Sequence, residues 1–268
     1  MLVESQVPLA PLSTLGVGGP AQYLVTATTE AEVVDALRWA HERELPVHVL
    51  GGGSNLVISD SGVRGLVLRI ALRGLTRVRA GAGLCSFSVA AGEPWDDLVA
   101  QTVEANCQGL ECLSGIPGLA GATPIQNVGA YGQEVAQTLV SVRTWDRVAG
   151  RIRTIMHADC DFSYRQSVFK RMPGRFIVQS VTLSLPDVWQ PNLGYPGLNS
   201  LPGDIDPVTV MRTVVAVRNS KLPDWRQTGN AGSFFHNPIV DSVVADRLAT
   251  DYPELPRYPS ADGRTKLS

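Results

Sequence analysis

An α+β protein built from more than one unit is the fold that this sequence predicts, and three observations predict it. The first seventy or so residues alternate strand, helix and strand. A second run of strands surrounds one more helix. Inside that second run, after its helix, lies Ser114-Gly115-Ile116-Pro117-Gly118-Leu119-Ala120-Gly121-Ala122-Thr123-Pro124-Ile125-Gln126-Asn127-Val128-Gly129-Ala130-Tyr131-Gly132, whose five glycines and two prolines exclude a regular helix or a central strand. Almost no charge interrupts this stretch, so it lacks the composition of a disordered linker. Composition leaves two readings open: a plain glycine-rich surface loop, or a loop whose backbone amides approach a pyrophosphate closely.

The elements follow in order. Leu12 to Pro20 is rich in turn residues, and Ala21-Gln22-Tyr23-Leu24-Val25 reads as a strand. Thr29 with Glu32 makes a capping box, and Val33, Val34, Leu37 and Ala40 follow at helical spacing to about Glu44. Pro46 to Leu50 is a strand that ends in Gly51-Gly52-Gly53-Ser54-Asn55. No glycine stands at position 56 and no helix follows, so a Rossmann dinucleotide fingerprint is excluded. This turn is either a phosphate-holding loop or a tight connection between buried strands. Leu56-Val57-Ile58 and Leu66 to Ile70 read as further strands.

Arg77 to Gly83 and Phe87 to Gly92 begin the second unit. Trp95, Leu98, Val99, Thr102 and Val103 mark one helix face, with Asp96 and Asp97 in its first turn, where the helix dipole favours them. Ala149-Gly150 between two alternating runs predicts a hairpin. Phe162 to Lys170 breaks the β pattern with polar and aromatic groups. Phe176 to Leu185 is a strand, 207–221 a helix and 241–252 a shorter helix, and the loop Leu201-Pro202-Gly203-Asp204 predicts a domain boundary. For residues 204–268 the pattern predicts two helices and no convincing sheet.

Composition narrows the function. The 268 residues carry 23 basic and 25 acidic side chains, a net charge of −2, with no basic block suited to nucleic acid. No signal-like N-terminus and no membrane-length apolar run is present, so a cytoplasmic protein with no membrane partner is expected. Cys85, Cys107, Cys112 and Cys160 lack C-x-x-C spacing, which predicts buried reduced thiols, and the four scattered histidines predict no metal site.

Taken together, the motifs Thr14-Leu15-Gly16-Val17-Gly18, Gly51 to Asn55, Ser114 to Gly132, Tyr164-Arg165-x-Ser167-x-Phe169-Lys170 and Gly232-Ser233-Phe234-Phe235-x-Asn237-Pro238 resemble the UDP-N-acetylenolpyruvoylglucosamine reductase family, in its order and over nearly the whole chain. The resemblance implies an FAD-binding fold of the vanillyl-alcohol-oxidase type: subdomains 1–72 and 73–200 hold the flavin, and 201–268 belongs to a substrate domain. It implies FAD contacts from Gly51, Gly52, Gly53, Ser54, Asn55, Ser114, Gly115, Ile116, Pro117, Gly118, Gly121, Ala122, Gln126, Asn127, Gly129, Ala130 and Tyr131. NADPH is the implied hydride donor, UDP-N-acetylglucosamine enolpyruvate the substrate, and a monomer the expected state.

The implied reaction explains the residue types. Hydride addition to the vinyl carbon drives charge onto the conjugated carboxylate, which Arg165 stabilises by resemblance. The neighbouring carbon then needs a proton, and Ser233 matches the family's donor. Taken alone, Ser233 reads as a turn serine and Arg165 as a surface cation. The resemblance places Tyr164, Tyr195, Lys221, Asn237, Tyr258 and Lys266 around the UDP part. His236 stands where lysine is common, and Trp225 where proline is usual in this subgroup. The family pattern continues past Lys266-Leu267 and includes a carboxylate that assists Arg165. The chain therefore reads as incomplete, expected to bind FAD but to reduce substrate poorly. Two alternatives stay open: a flavin- or UDP-sugar-binding fragment without turnover, and an FAD oxidase of the same fold.

Overall fold

The computed structural model describes residues 1–80, 84–186, 188–260 and 263–267. Gly81 to Gly83, part of a predicted strand segment, and Ser268 lie outside the described residues. Two compact units divide the chain, Met1–Ala231 and Gly232–Ser268.

In the first unit, the predicted capping box forms: Glu32 N donates to Thr29 Oγ1 at 3.2 Å, and Thr29 N donates to Glu32 Oε2 at 3.3 Å. Two donors at the start of the helix are thereby satisfied, and the chain enters α1 (Glu30–His41) with Val33, Ala36 and Ala40 buried. Around it β1 (Glu4–Pro8), β2 (Pro20–Ala27), β3 (Val47–Leu50) and β4 (Val63–Ile70) form a sheet in the order β1-β2-β4-β3. β2 and β3 both run parallel to β4, so their C-terminal ends share one edge. β3 empties there into Gly51.

The predicted strand at 56–58 does not form. Leu56 and Val57 lie exposed, because the chain leaves the sheet edge after Asn55 and finds no strand to pair with.

The second sheet is antiparallel: β5 (Leu75–Ala80) and β6 (Leu84–Ala90) lead into α2 (Trp95–Glu104), whose predicted face is buried in full. A two-residue ladder, β7 (Gly129–Ala130) with β8 (Gln133–Glu134), closes the glycine-rich stretch. Then come β9 (Leu139–Asp146), β10 (Arg151–Met156), the short α3 (Val168–Arg171) and β11 (Phe176–Pro186), in the order β10-β9-β11-β6-β5. Both sheets drain into one apolar core, in which Val25, Leu66 and Leu68 meet Phe87, Val89, Trp95, Leu98 and Leu183. Cys85 and Cys107 are paired as a disulfide here, whereas the sequence predicted reduced thiols. Spacing of 22 in the chain hides a contact that β6 and the end of α2 create. Cys112 and Cys160 are the buried free thiols expected.

The helix α4 (Pro207–Lys221) opens on Asp206, whose Oδ1 accepts from Thr209 N at 2.9 Å. Its Val210 and Val214 pack with Cys112, Tyr131 and Leu198. That contact ties 201–231 to the first unit, and the division into compact units falls at 231/232. In the second unit β12 (Ile239–Val240), α5 (Ser242–Asp251), β13 (Arg257–Pro259) and β14 (Thr265–Leu267) follow, and the strands form a three-stranded antiparallel sheet, β12-β14-β13. No sheet was expected there, because strands of two and three residues carry too little alternation to be read.

Candidate active site

The turn after β3 and the glycine-rich stretch cross each other. A Cβ built on Gly52 would lie 2.9 Å from Gly118 Cα, and one on Gly118 would lie 2.8 Å from Ser54 Oγ. Gly118 also has φ +121, a conformation that side chains other than hydrogen rarely adopt. Polar bonds fix the crossing: Ser54 Oγ donates to Pro117 O at 3.0 Å, and Asn55 Nδ2 donates to Gln126 Oε1 at 3.0 Å. Among the described residues, the amides of Gly52, Gly53, Ser54 and Asn55 donate to no protein acceptor. Four neighbouring amides beside a crossing without side chains make a cradle for phosphate oxygens.

The stem of the glycine-rich stretch is held by α2 and the turn before it. Trp95 N donates to Gly118 O at 3.0 Å, and its indole Nε1 to Leu113 O at 3.0 Å. Asp96 Oδ1 accepts from Gly115 N at 2.6 Å. Asp96 had been read only as a partner of the helix dipole; its contact with Gly115 spans 19 residues and leaves no local signal. Opposite it, Arg218 of α4 presses on Gly115, where a Cβ would lie 3.0 Å from Arg218 Cδ. Burial lowers the Arg218 pKa, and Tyr131 and Asp96 oppose that shift.

At the far end of the stretch sits the turn Ser163-Tyr164-Arg165-Gln166, closed by reciprocal backbone bonds of 3.2 and 3.0 Å between Ser163 and Gln166. Arg165 takes φ +55, and its guanidinium reaches back: Nη1 donates to Asn127 O at 3.2 Å and Nη2 to Gly129 O at 2.5 Å. Lys170 Nζ donates to Arg165 O at 3.1 Å, and Ser167 Oγ to Ile125 O at 2.5 Å. Asn127, fully buried, donates through Nδ2 to Glu134 Oε2 at 2.7 Å and to Ser163 O at 3.2 Å. Its Oδ1 accepts from Ala136 N at 3.1 Å. Asn127 and Glu134 thus join the cofactor-loop candidate to the turn that carries Arg165. Glu134 was not singled out in the sequence.

Tyr131 and Tyr195 meet edge to face at 5.0 Å, and Lys221 Nζ lies 5.9 Å from the Tyr195 ring centre. Burial raises the Tyr131 pKa, with the Arg218 charge working against it and Tyr195 with it. Seen residue by residue, the predicted set from Gly51 to Asn55, from Ser114 to Tyr131, and Tyr164, Arg165, Tyr195 and Lys221 all lie in the first unit. Ser233, Asn237, Tyr258 and Lys266 lie in the second. There Ser233 is exposed after Gly232, which has φ +69, and Tyr258 pairs in register with Lys266, whose Nζ sits 5.2 Å from the ring centre.

Comparison with known proteins bears on this arrangement. Residues 21–155 match the family described as FAD binding domain. The UDP-N-acetylenolpyruvoylglucosamine reductase of Streptomyces avermitilis is 46% identical over 97% of this chain and 75% of its own length. The enzyme of the same name from Cutibacterium acnes is 45% identical over 98% of this chain and 71% of its own. Among solved structures, that of the UDP-N-acetylenolpyruvylglucosamine reductase from Thermus caldophilus superposes with a TM-score of 0.67 at 29% identity, covering all of this chain and 88% of the other. The α+β FAD-binding fold of the vanillyl-alcohol-oxidase type, expected from the motifs, is the fold of this chain.

Proposed function

This chain belongs to the UDP-N-acetylenolpyruvoylglucosamine reductase family, and from that premise we propose how its own residues carry the family's reaction. The protein is an FAD-dependent oxidoreductase that uses NADPH to reduce the enolpyruvyl group of UDP-N-acetylglucosamine enolpyruvate in peptidoglycan precursor synthesis. FAD, when bound, supplies the relay of hydride from NADPH to the vinyl carbon. The residues present fit it: the Gly52–Gly118 crossing leaves no room for a Cβ and presents the amides from Gly52 to Asn55. Those amides face the pyrophosphate in our reading, with Ser114 to Ala122 as the opposite wall. Gln126, Asn127, Gly129, Ala130 and Tyr131 carry the wall toward Arg165.

The observation that carries the reading is the position of Arg165 at the end of that wall. Two of its five N–H groups are committed to Asn127 O and Gly129 O, so the guanidinium plane is fixed before substrate arrives. Three N–H groups remain for a carboxylate. Charge that grows on this carboxylate as the vinyl group is reduced meets a cation that needs no reorganisation. Ser233 gives the proton to the carbon beside the carboxylate; a hydroxyl suffices only because that carbon is close to a carbanion at that moment.

Tyr195 with Lys221, and Tyr258 with Lys266, each set a cation beside an aromatic ring, a pairing suited to a diphosphate next to a uracil. Tyr164 and Asn237 complete the polar contacts in this proposal. We further propose that the protein works as a cytoplasmic monomer; no described helix is long and apolar enough to cross a membrane. An anaerobic visible spectrum tests the function. A yellow protein that bleaches with NADPH and recovers its colour when the enolpyruvyl nucleotide is added is expected. Bleaching without recovery would remove this substrate from the reading.

A further inference from the structure

The loop that carries Tyr195 has little to fix it from within. Trp189-Gln190-Pro191-Asn192-Leu193-Gly194-Tyr195-Pro196 holds two prolines and a glycine and forms no regular element. Its place is set from outside, and one side chain does most of that. Glu111, only 2% exposed, accepts from Trp189 Nε1 through Oε1 at 2.7 Å and from Gly109 N through Oε2 at 2.7 Å. The carbonyl of the same residue accepts from Ser114 Oγ at 2.6 Å, at the first residue of the glycine-rich stretch.

We infer that Glu111 is a positioning residue for substrate binding: its buried carboxylate sets the Tyr195 loop against the stem of the cofactor loop. A buried carboxylate is costly unless donors satisfy it, so the two short bonds are kept together and the indole has one place to go. From Trp189 the loop is led to its second anchor, where Asn192 Nδ2 donates to Gly132 O at 3.1 Å and Asn192 O accepts from Cys112 Sγ at 3.7 Å. Three residues on, Tyr195 comes to rest edge-on against Tyr131. Trp189, Leu193 and Tyr195 all pack against the cluster of Cys112, Tyr131 and Leu198. Glu111, just before the glycine-rich stretch, and Gly132, at its end, therefore set the loop, and Tyr131, assigned to the cofactor, meets Tyr195, assigned to the substrate. The inference rests on the proposed contact between Tyr195 and the nucleotide.

Steady-state kinetics of the FAD-loaded wild type, W189F, E111Q, Y195A and the double variant W189F/Y195A test it, with flavin content read from the visible spectrum. W189F keeps the aromatic packing and loses only the donor. It is expected to raise KM for the enolpyruvyl nucleotide about tenfold, with kcat within about twofold and flavin content unchanged. E111Q retains an acceptor for the indole and is expected to lie nearer the wild-type KM. Y195A is expected to raise KM as well, and W189F is expected to add nothing in that background. If Y195A raises KM while W189F leaves it alone, the positioning role is overturned and the Tyr195 contact stands. The positioning role is equally overturned if W189F costs as much with Tyr195 absent, or if W189F or E111Q loses FAD in step with the rise in KM. An unchanged KM in Y195A overturns the Tyr195 contact itself and the inference with it. Absence of turnover in the wild type removes the reductase reading on which both depend.

Discussion

Arg165 donates through Nη1 to the carbonyl oxygen of Asn127 at 3.2 Å, and both residues hold a left-handed backbone, φ +55 and φ +45. The conformation is costly for Arg165, while asparagine tolerates it better than most residues with a side chain. The bonds around Asn127 to Glu134, Ser163 and Ala136 over-determine the geometry and offset the strain. The result is a guanidinium whose direction is fixed by the backbone of the neighbouring loop.

Replacing Arg165 tests whether direction or charge matters. Lysine keeps the charge but cannot bond Asn127 O and Gly129 O while also presenting a fork to a carboxylate. R165K is expected to lower kcat about 100-fold and R165A about 1000-fold or more, both with normal FAD content. Flavin bleaching by NADPH, followed by stopped flow, should change by no more than a few-fold. Near-normal kcat in R165K would show that a loosely placed cation is enough.

Ser233 lies in the second unit, and its role is separable from the first half of the reaction. S233A is expected to leave bleaching by NADPH intact and to lower product formation by about three orders of magnitude, within the range for loss of a general acid. Product formation within about tenfold of wild type would assign the proton to another group.

The glycine crossing makes a prediction about cofactor affinity. In G118A the new methyl would meet Ser54 Oγ at 2.8 Å on a backbone at φ +121, so Ser54 must turn away from Pro117 O and the bond that pins the crossing is lost on a strained backbone. FAD affinity is expected to fall at least about tenfold. G203A is the control, because a Cβ there meets nothing within 4 Å. Titration of apoprotein with FAD checks both, and equal affinities would mean that the crossing does not shape the cradle.

What could be read in the sequence was local or carried by motifs. Thr29 and Glu32 announce α1 because both halves of a capping box lie three residues apart, and the face of α2 shows because burial there follows the helical period. Gly51 to Asn55 and Ser114 to Gly132 stood out by composition, yet their crossing at Gly52 and Gly118 is a tertiary fact. Glu111 and Glu134 escaped notice, and Asp96 showed only its place in the first turn of α2, because a single acid in a mixed sequence gains its meaning from a backbone amide, an indole or a side-chain amide brought to it by the fold. The strand expected at 56–58 failed for the opposite reason: three apolar residues have strand propensity but no neighbour to pair with.

The last prediction concerns stability and comes from the hairpin of β9 and β10. Asp146 is completely buried, and it accepts from Arg175 Nη2 at 2.9 Å and Nε at 3.2 Å, from Val148 N at 3.0 Å and from Ala149 N at 3.1 Å. The bond to Arg175 does most to pull its pKa down from 3.8 to about 2; the two backbone amides help, while burial works against them. In the unfolded chain the same carboxylate binds its proton at the ordinary value. Folding therefore favours the ionised form, and the resulting stability is complete above about pH 4 and disappears as the pH falls through about 2. D146N removes the charge but keeps the shape. Its melting temperature at about pH 7 is expected to lie several degrees below that of the wild type, since Arg175 loses its partner and Asn offers one acceptor where the carboxylate offered two. Between about pH 4 and pH 2 the wild type should lose this advantage, so the two melting curves converge. A gap that stays constant across that range would mean that the ionised carboxylate is not its source.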